Sequence, residues 1–176
     1  YNTVWGVIIG SGFGGSFVHN KKVVEGVNQV AGDWGHQPLP YPSKEEWDLN
    51  LKCPVDNCGR PLCAEQFISG IGFTNIFNRK YKTNFTTKEI VDLELNGDER
   101  AKKEFDLYED RFARLIAVMI GIVDPDVIIL GGGMSNIERL YSNIPKLLPK
   151  YTFSDKVRNK ILRNTHGDSS GVLSLI

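Results

Sequence analysis

The three cysteines of this chain, Cys53, Cys58 and Cys63, fall in one short stretch, and there are no others among its 176 residues. An odd, clustered set with no secretion signal favours thiolate metal ligands, because a disulfide framework needs paired thiols and an oxidising compartment. The cysteines close a segment, Gln37 to Pro61, that holds five of the eight prolines and reads as a loop. A structureless loop of that length inside a compact domain needs something to hold it, and a bound metal would do so.

Two glycine-rich runs are the other candidates for chemistry. Gly10, Gly12 and Gly15 match the spacing G-x-G-x-x-G. The dinucleotide-binding form of that motif needs a strand before the glycines and a helix after them, since the pyrophosphate sits on the helix N-terminus. Val4 to Ile9 is β-branched and aromatic, as a buried strand would be, but Ser16 to Val24 reads as two short β runs around Asn20-Lys21. No Gly-Lys-Ser/Thr ending follows, which excludes a Walker-type loop. What remains is a tight glycine turn between two strands. It is either a place where backbone N–H groups approach an anion or a hairpin whose glycines only satisfy geometry. The second run, Gly131-Gly132-Gly133, follows the apolar strand Val127 to Leu130, with Ser135 as the N-cap of a helix through about Leu148.

The elements that must position these residues follow from periodicity. Ala64 to about Tyr81 reads as one helix with Phe67, Ile71, Thr74 and Phe77 on a face, and Thr86 to Glu89 is a capping box opening a helix to about Leu95. Phe105, Tyr108, Phe112, Leu115, Ile116, Met119, Ile120 and Val123 recur at helical spacing and predict one long buried stripe, stopping at Asp124-Pro125-Asp126. Arg100 to Glu104 reads as a solvated helix face. A late strand covers about Val157 to Leu162, before a Gly/Ser turn and an apolar tail. An antiparallel opening followed by helix–strand–helix alternation implies an α/β layer architecture in one domain, residues 1–176. Two glycine-rich strand ends, one near each end of the chain, point at one ligand from two sides, which suits a nucleotide.

With 21 basic and 21 acidic residues, nothing recommends nucleic acid or an anionic membrane as a partner. No apolar run approaches the roughly 20 residues that span a bilayer, and no signal peptide opens the chain, so a cytoplasmic protein is the default expectation. The chain starts at Tyr1 directly in a core strand, which suggests that an N-terminal portion precedes it.

Gly10 to Gly15, Ala31 to His36, Cys58 to Glu65 and Asp124 to Gly133 resemble, in that order and over nearly the whole chain, the ROK family of bacterial sugar kinases and repressors. Within it, Trp34 to Pro40 and the ending Gly167 to Val172 are most similar to fructokinase-like (mannofructokinase) members. The resemblance implies an actin-like ATPase, ribonuclease H-like fold of two lobes, of which this chain is the C-terminal one. The N-terminal lobe would supply the first phosphate loop and the aspartate that takes the proton from the sugar hydroxyl, so no catalytic residue is expected in this chain. The implied activity is ATP-dependent phosphorylation of a hexose by a homodimer, fructose first, with an N-acetylhexosamine or glucose kinase next and a repressor's sugar-sensing lobe as the non-enzymatic alternative.

By the same resemblance, Gly10, Ser11, Gly12 and Gly14 contact the phosphates of ATP, carried with Mg²⁺, while Gly131, Gly132, Gly133 and Ser135 line the adenosine side. Asp33, His36 and Glu65 would bind the sugar, since carboxylates and an imidazole together accept from and donate to a ring of hydroxyls. Family members usually carry glutamate where Asp33 stands, so its carboxylate is drawn back by one methylene. His36 joins Cys53, Cys58 and Cys63 in a Cys₃His set, the composition of a closed structural zinc site, within a zinc-binding loop at about 36–63. Relatives commonly show C-x-C-G before the last cysteine, whereas four residues separate Cys53 from Cys58, so Cys53 reaches the site only if Pro54 to Asn57 loops out. His36 would ligate through one nitrogen and offer the other to a hydroxyl.

Overall fold

A computed structural model of the chain describes residues 1–49, 58–154 and 156–165. Cys53 and the Gly167 to Val172 ending lie outside the described residues. Strands β1 (Thr3–Ile9), β2 (Phe13–His19) and β3 (Lys22–Val23) form an antiparallel opening. Along β1 burial alternates, with Trp5, Val7 and Ile9 inside, the period that a strand imposes on its side chains. Asn20 and Lys21 both take positive φ, 50° and 62°, and so make the two-residue hairpin turn that the sequence indicates. Strand β4 (Val127–Gly131) pairs parallel with β1, and β5 (Lys160–Arg163) parallel with β4. The result is a five-stranded sheet of order β3-β2-β1-β4-β5.

Parallel neighbours need a crossover, and the segment between β3 and β4 supplies it as α1 (Lys44–Asp48), α2 (Glu65–Ile68), α3 (Gly70–Tyr81), α4 (Thr87–Leu95) and α5 (Glu99–Val123). Helix α6 (Arg139–Leu147) lies between β4 and β5. Thr86 and Glu89 exchange both bonds of the capping box that starts α4. Helix α5 buries the expected stripe through Phe105, Tyr108, Phe112, Leu115 and Ile116, and ends where Asp124 turns left-handed (φ 47°) before Pro125.

Four local expectations are corrected. The segment read as a loop, Gln37 to Pro61, carries α1, opened by the Ser43–Glu46 capping box, a local signal that the prolines around it obscured. The single helix over Ala64 to Tyr81 is two helices: Ser69 (φ −63°, ψ 155°) leaves the helical region, and its hydroxyl accepts the Gly72 N–H at 3.0 Å to open α3. The break is held from both sides. The buried Tyr108 hydroxyl donates to the Ile68 carbonyl (2.9 Å), and the Gly70 N–H donates to the Gly10 carbonyl (2.8 Å). Apolar spacing runs through such a break unchanged, so periodicity does not reveal it. Ser135 does not cap a helix; it lies inside the 3₁₀ turn Gly133–Asn136, and α6 begins only at Arg139. Glu104 is not solvated but buried, accepting bonds from Lys80 Nζ and the Tyr81 hydroxyl.

Aromatic packing joins sheet to helix. Trp34 lies with its ring centroid 4.0 Å from that of Trp5, 4.6 Å from Phe13 and 6.5 Å from Phe112, so the loop that carries Asp33 and His36 is pinned by its own tryptophan. Downstream, the loop is fastened by a buried charge. Glu46, capped by Ser43, meets Arg111 at 2.8 Å and Arg114 at 2.6 Å, while Arg114 also donates to the Pro40 and Tyr41 carbonyls. Burial raises the pKa of Glu46, but hydrogen bonds from Arg114 and then Arg111 outweigh it and leave the carboxyl below its ordinary value. A depressed folded-state pKa means that the stabilisation is complete above the unfolded value of about 4.3 and is lost as pH falls through the folded one. Glu46→Gln, which strands two buried guanidinium groups, is expected to cost about 3 kcal/mol in urea denaturation at pH 7. The gap between wild type and variant should narrow progressively below about pH 4, as the wild-type carboxyl takes up its proton.

Candidate active site

The register of β1 on β4 sets Ile8 opposite Gly131, so the chain leaves both strands at the same end of the sheet. At that end Gly10-Ser11-Gly12 turns back into β2, with the Gly10 N–H donating to the Gly12 carbonyl (3.0 Å), and Gly132 leads into the 3₁₀ turn. In open α/β sheets ligands bind in the crevice beyond the carboxyl ends of the strands. Because β2 rather than a helix follows Gly12, the glycine spacing is not a dinucleotide fingerprint. Gly132 sits at φ 79° and ψ 173°, a region essentially reserved for glycine, and a Cβ there would stand 2.5 Å from the Ile9 carbonyl oxygen. The two turns pack backbone against backbone.

Between them opens a cleft of about 770 Å³, within the range of small-molecule sites. One wall is Gly10 and Ser11 with Gly70 and Ile71 from the start of α3; a second is Thr87, Lys88 and Val91 of α4. Gly133, Met134, Asn136 and Ile137 close it after β4. Of the residues expected at a nucleotide, then, Gly10, Ser11 and Gly133 line the cleft. Gly12 completes the turn, and Gly14 is in β2, paired with Ile8. Gly131, Gly132 and Ser135 are buried beneath the surface. The Ser135 hydroxyl donates to the Gly132 carbonyl (2.7 Å), so it braces the turn. The α4 wall was missed in the sequence: a capping box locates the start of a helix but not what that start faces.

Behind the first turn sits the Asp33 to His36 loop. The Gly35 carbonyl accepts the Glu65 N–H (2.9 Å) and the Cys63 thiol (3.3 Å), and Glu65 Oε2 accepts the Phe13 N–H (2.9 Å). Pro38 and Cys63 form an isolated antiparallel bridge that closes the loop on itself. Among the described residues, ligand atoms of His36, Cys58 and Cys63 all lie within 4.8 Å of one another. His36 Nδ1 is 3.5 Å from Cys63 Sγ. Nitrogen and sulfur ligands of one tetrahedral zinc stand roughly 3.6 Å apart, so this donor set could hold that metal. Asp33 is exposed and lines a second groove of about 480 Å³, with Val30, Leu39 and the α5 residues Val118 and Ile122. The structure thus gathers His36, Cys58, Cys63 and Glu65 around the back of the phosphate-turn candidate and sets Asp33 on the rim of that groove.

A mixed sheet of this order, with paired glycine turns and a helical crossover, is an actin-like ATPase fold. It matches the ROK family glucokinase from Streptomyces griseus in complex with glucose and AMPPNP at a TM-score of 0.81 and 20% identity, over 97% of this chain and 58% of that one. The ROK hexokinase from Thermus thermophilus gives a TM-score of 0.80 at 21% identity, over 99% and 55%. The ROK family model matches residues 1–175, and the chain belongs to that family. An N-acetyl-D-glucosamine kinase of Photobacterium profundum is 36% identical over 173 residues, 97% of this chain and 56% of that protein. The chain therefore spans about half the length of the curated relatives it matches. Among the described residues no helix is long and apolar enough to cross a membrane.

Gly132 and Gly133 separate backbone need from cleft lining. Gly132→Ala should lose about 3 kcal/mol of stability in denaturant melts, through a forbidden φ and a backbone clash. Gly133→Ala, whose Cβ meets nothing within 4 Å, should stay within about 1 kcal/mol of wild type.

Proposed function

We propose that this chain forms the nucleotide- and sugar-binding part of an ATP-dependent sugar kinase, acting on an N-acetylhexosamine or glucose rather than on the fructose that the sequence motifs put first. The observation that carries this reading is the bond from the Phe13 N–H to Glu65, which sets the hydroxyl-binding candidates directly behind the glycine turn of a nucleotide-sized cleft. The sugar class draws support from the relatives: one is an N-acetylglucosamine kinase at 36% identity, and a fold neighbour holds glucose with AMPPNP.

Phosphoryl transfer asks mainly for positioning and charge stabilisation. The exposed Ser11 hydroxyl and the amides of its turn receive the terminal phosphates, and Mg²⁺ arriving with the nucleotide neutralises their charge. Ile71, Val91, Met134 and Ile137 offer the apolar surface for the base. His36 and Glu65 hold sugar hydroxyls, while Asp33, drawn back by one methylene, faces the groove along α5. The carboxylate that accepts the hydroxyl proton is assigned to sequence N-terminal to Tyr1. His36, Cys58 and Cys63, with Cys53 as the fourth expected ligand, would hold a zinc that would supply structure rather than chemistry by tying His36 to the cysteine segment.

Full-length protein carrying this chain, assayed with ATP and Mg²⁺ against N-acetylglucosamine, N-acetylmannosamine, glucose and fructose, should prefer one of the first three. A preference for fructose would overturn the sugar assignment, and silence toward every sugar would overturn the kinase. The 176-residue chain alone should turn over negligibly. Metal analysis of the purified chain should return about one zinc per molecule, falling on Cys58→Ser or Cys63→Ser, whereas a folded, metal-free protein would remove the zinc assignment.

A further inference from the structure

Glu65 opens α2, a helix of four residues, and is only 5% exposed. A carboxylate so far from water needs donors, and one of them comes from 52 residues away: the Phe13 N–H, at 2.9 Å. Phe13 is the first residue after the Gly10–Gly12 turn. Its N–H shares a peptide plane with the Gly12 carbonyl, which in turn accepts the Gly10 N–H at 3.0 Å. Carboxylate, Gly12–Phe13 peptide and Gly10 amide therefore form one chain of hydrogen bonds, each polarising the next and headed by a charge.

The grip is two-ended. At the far end of the same segment, past the Ser69 break, the Gly70 N–H donates to the Gly10 carbonyl at 2.8 Å. Gly35 backs the arrangement so closely that a Cβ on it would stand 1.9 Å from the Phe13 carbonyl oxygen. A turn made of Gly10, Ser11 and Gly12 has almost no side chain with which to hold itself, and glycine leaves the most backbone freedom to remove. Its orientation comes from outside.

We propose that Glu65 is a positioning residue of the phosphate turn. By fixing the Gly12–Phe13 peptide it holds Gly10 and Ser11 in place on the cleft wall, a role separate from any contact with sugar. This rests on the nucleotide-binding reading above. The bond also uses the Phe13 N–H, so the anion must be met by the residues before it.

The test is done without sugar on the full-length protein carrying this chain. AMPPNP binding by calorimetry is paired with residue-resolved amide hydrogen exchange for wild type, Glu65→Gln and Glu65→Ala. Glu65→Ala should weaken AMPPNP on the order of tenfold, the worth of a hydrogen bond to a charged group, with faster exchange confined to Gly10, Phe13 and the turn between them. Glu65→Gln, whose carbonyl still accepts from Phe13, should stay within about threefold of wild type. Wild-type AMPPNP affinity in Glu65→Ala, or faster exchange spread evenly over β1 and β4, would overturn the proposal. If the wild-type chain binds no AMPPNP, the nucleotide reading falls and takes this inference with it; an indifferent Glu65→Ala beside a binding wild type sinks the inference alone.

Discussion

Everything at the candidate site depends on the parallel pairing of β1 with β4. That register places Gly131 beside Ile8, so two glycine turns far apart in the chain emerge together. The contact is enforced by backbone sterics: Gly132 lies against the Ile9 carbonyl, where no other residue fits without a shift. A parallel pair cannot be closed by a short turn, and the helical crossover that closes this one also builds the site's other walls. Helices α3 and α4 line the cleft because they lie on that connection.

Buried charge holds the walls in place. Arg139 of α6 pairs with Glu94 of α4 and with Asp106 and Glu109 of α5, fastening the cleft's α4 wall to the helices behind it. Glu46 with Arg111 and Arg114 does the same for the loop leaving Pro40, and Lys80 with Glu104 joins α3 to α5. Such pairs add little net free energy over an apolar core, but each has one preferred geometry. A chain with no net charge thus uses several of its charges as fasteners.

Much of this was readable in order along the chain. Thr86 and Glu89 marked the start of α4 because a capping box is a local exchange of two hydrogen bonds. The stripe from Phe105 to Val123 marked α5, and the β runs flanking Asn20-Lys21 ruled out a dinucleotide loop. Of the metal set His36, Cys53, Cys58 and Cys63, the described members His36, Cys58 and Cys63 lie together; of the sugar set Asp33, His36 and Glu65, Asp33 faces a groove elsewhere, while the Glu65 N–H joins the Cys63 thiol at the Gly35 carbonyl. The Ser69 break escaped notice because it is stabilised by Tyr108 and Gly10, neither of which is near it in sequence. Ser135 looked like a cap because a serine after glycines suits one, but its hydroxyl donates instead to the Gly132 carbonyl three residues back.

The sequence by itself determined the opening hairpin, the strand before the second glycine run, α4 and α5, and which residue types could bind a metal, a phosphate or a hydroxyl. Those properties reside in neighbouring residues and their periodicity. Tertiary structure alone decided that Glu65 would hold Phe13, that Lys88 and Val91 would face Ser11, and that Asp33 would look onto a groove along α5. Each of these joins residues brought together by sheet register and helix packing, and long-range contacts of that kind leave no period or spacing in the chain.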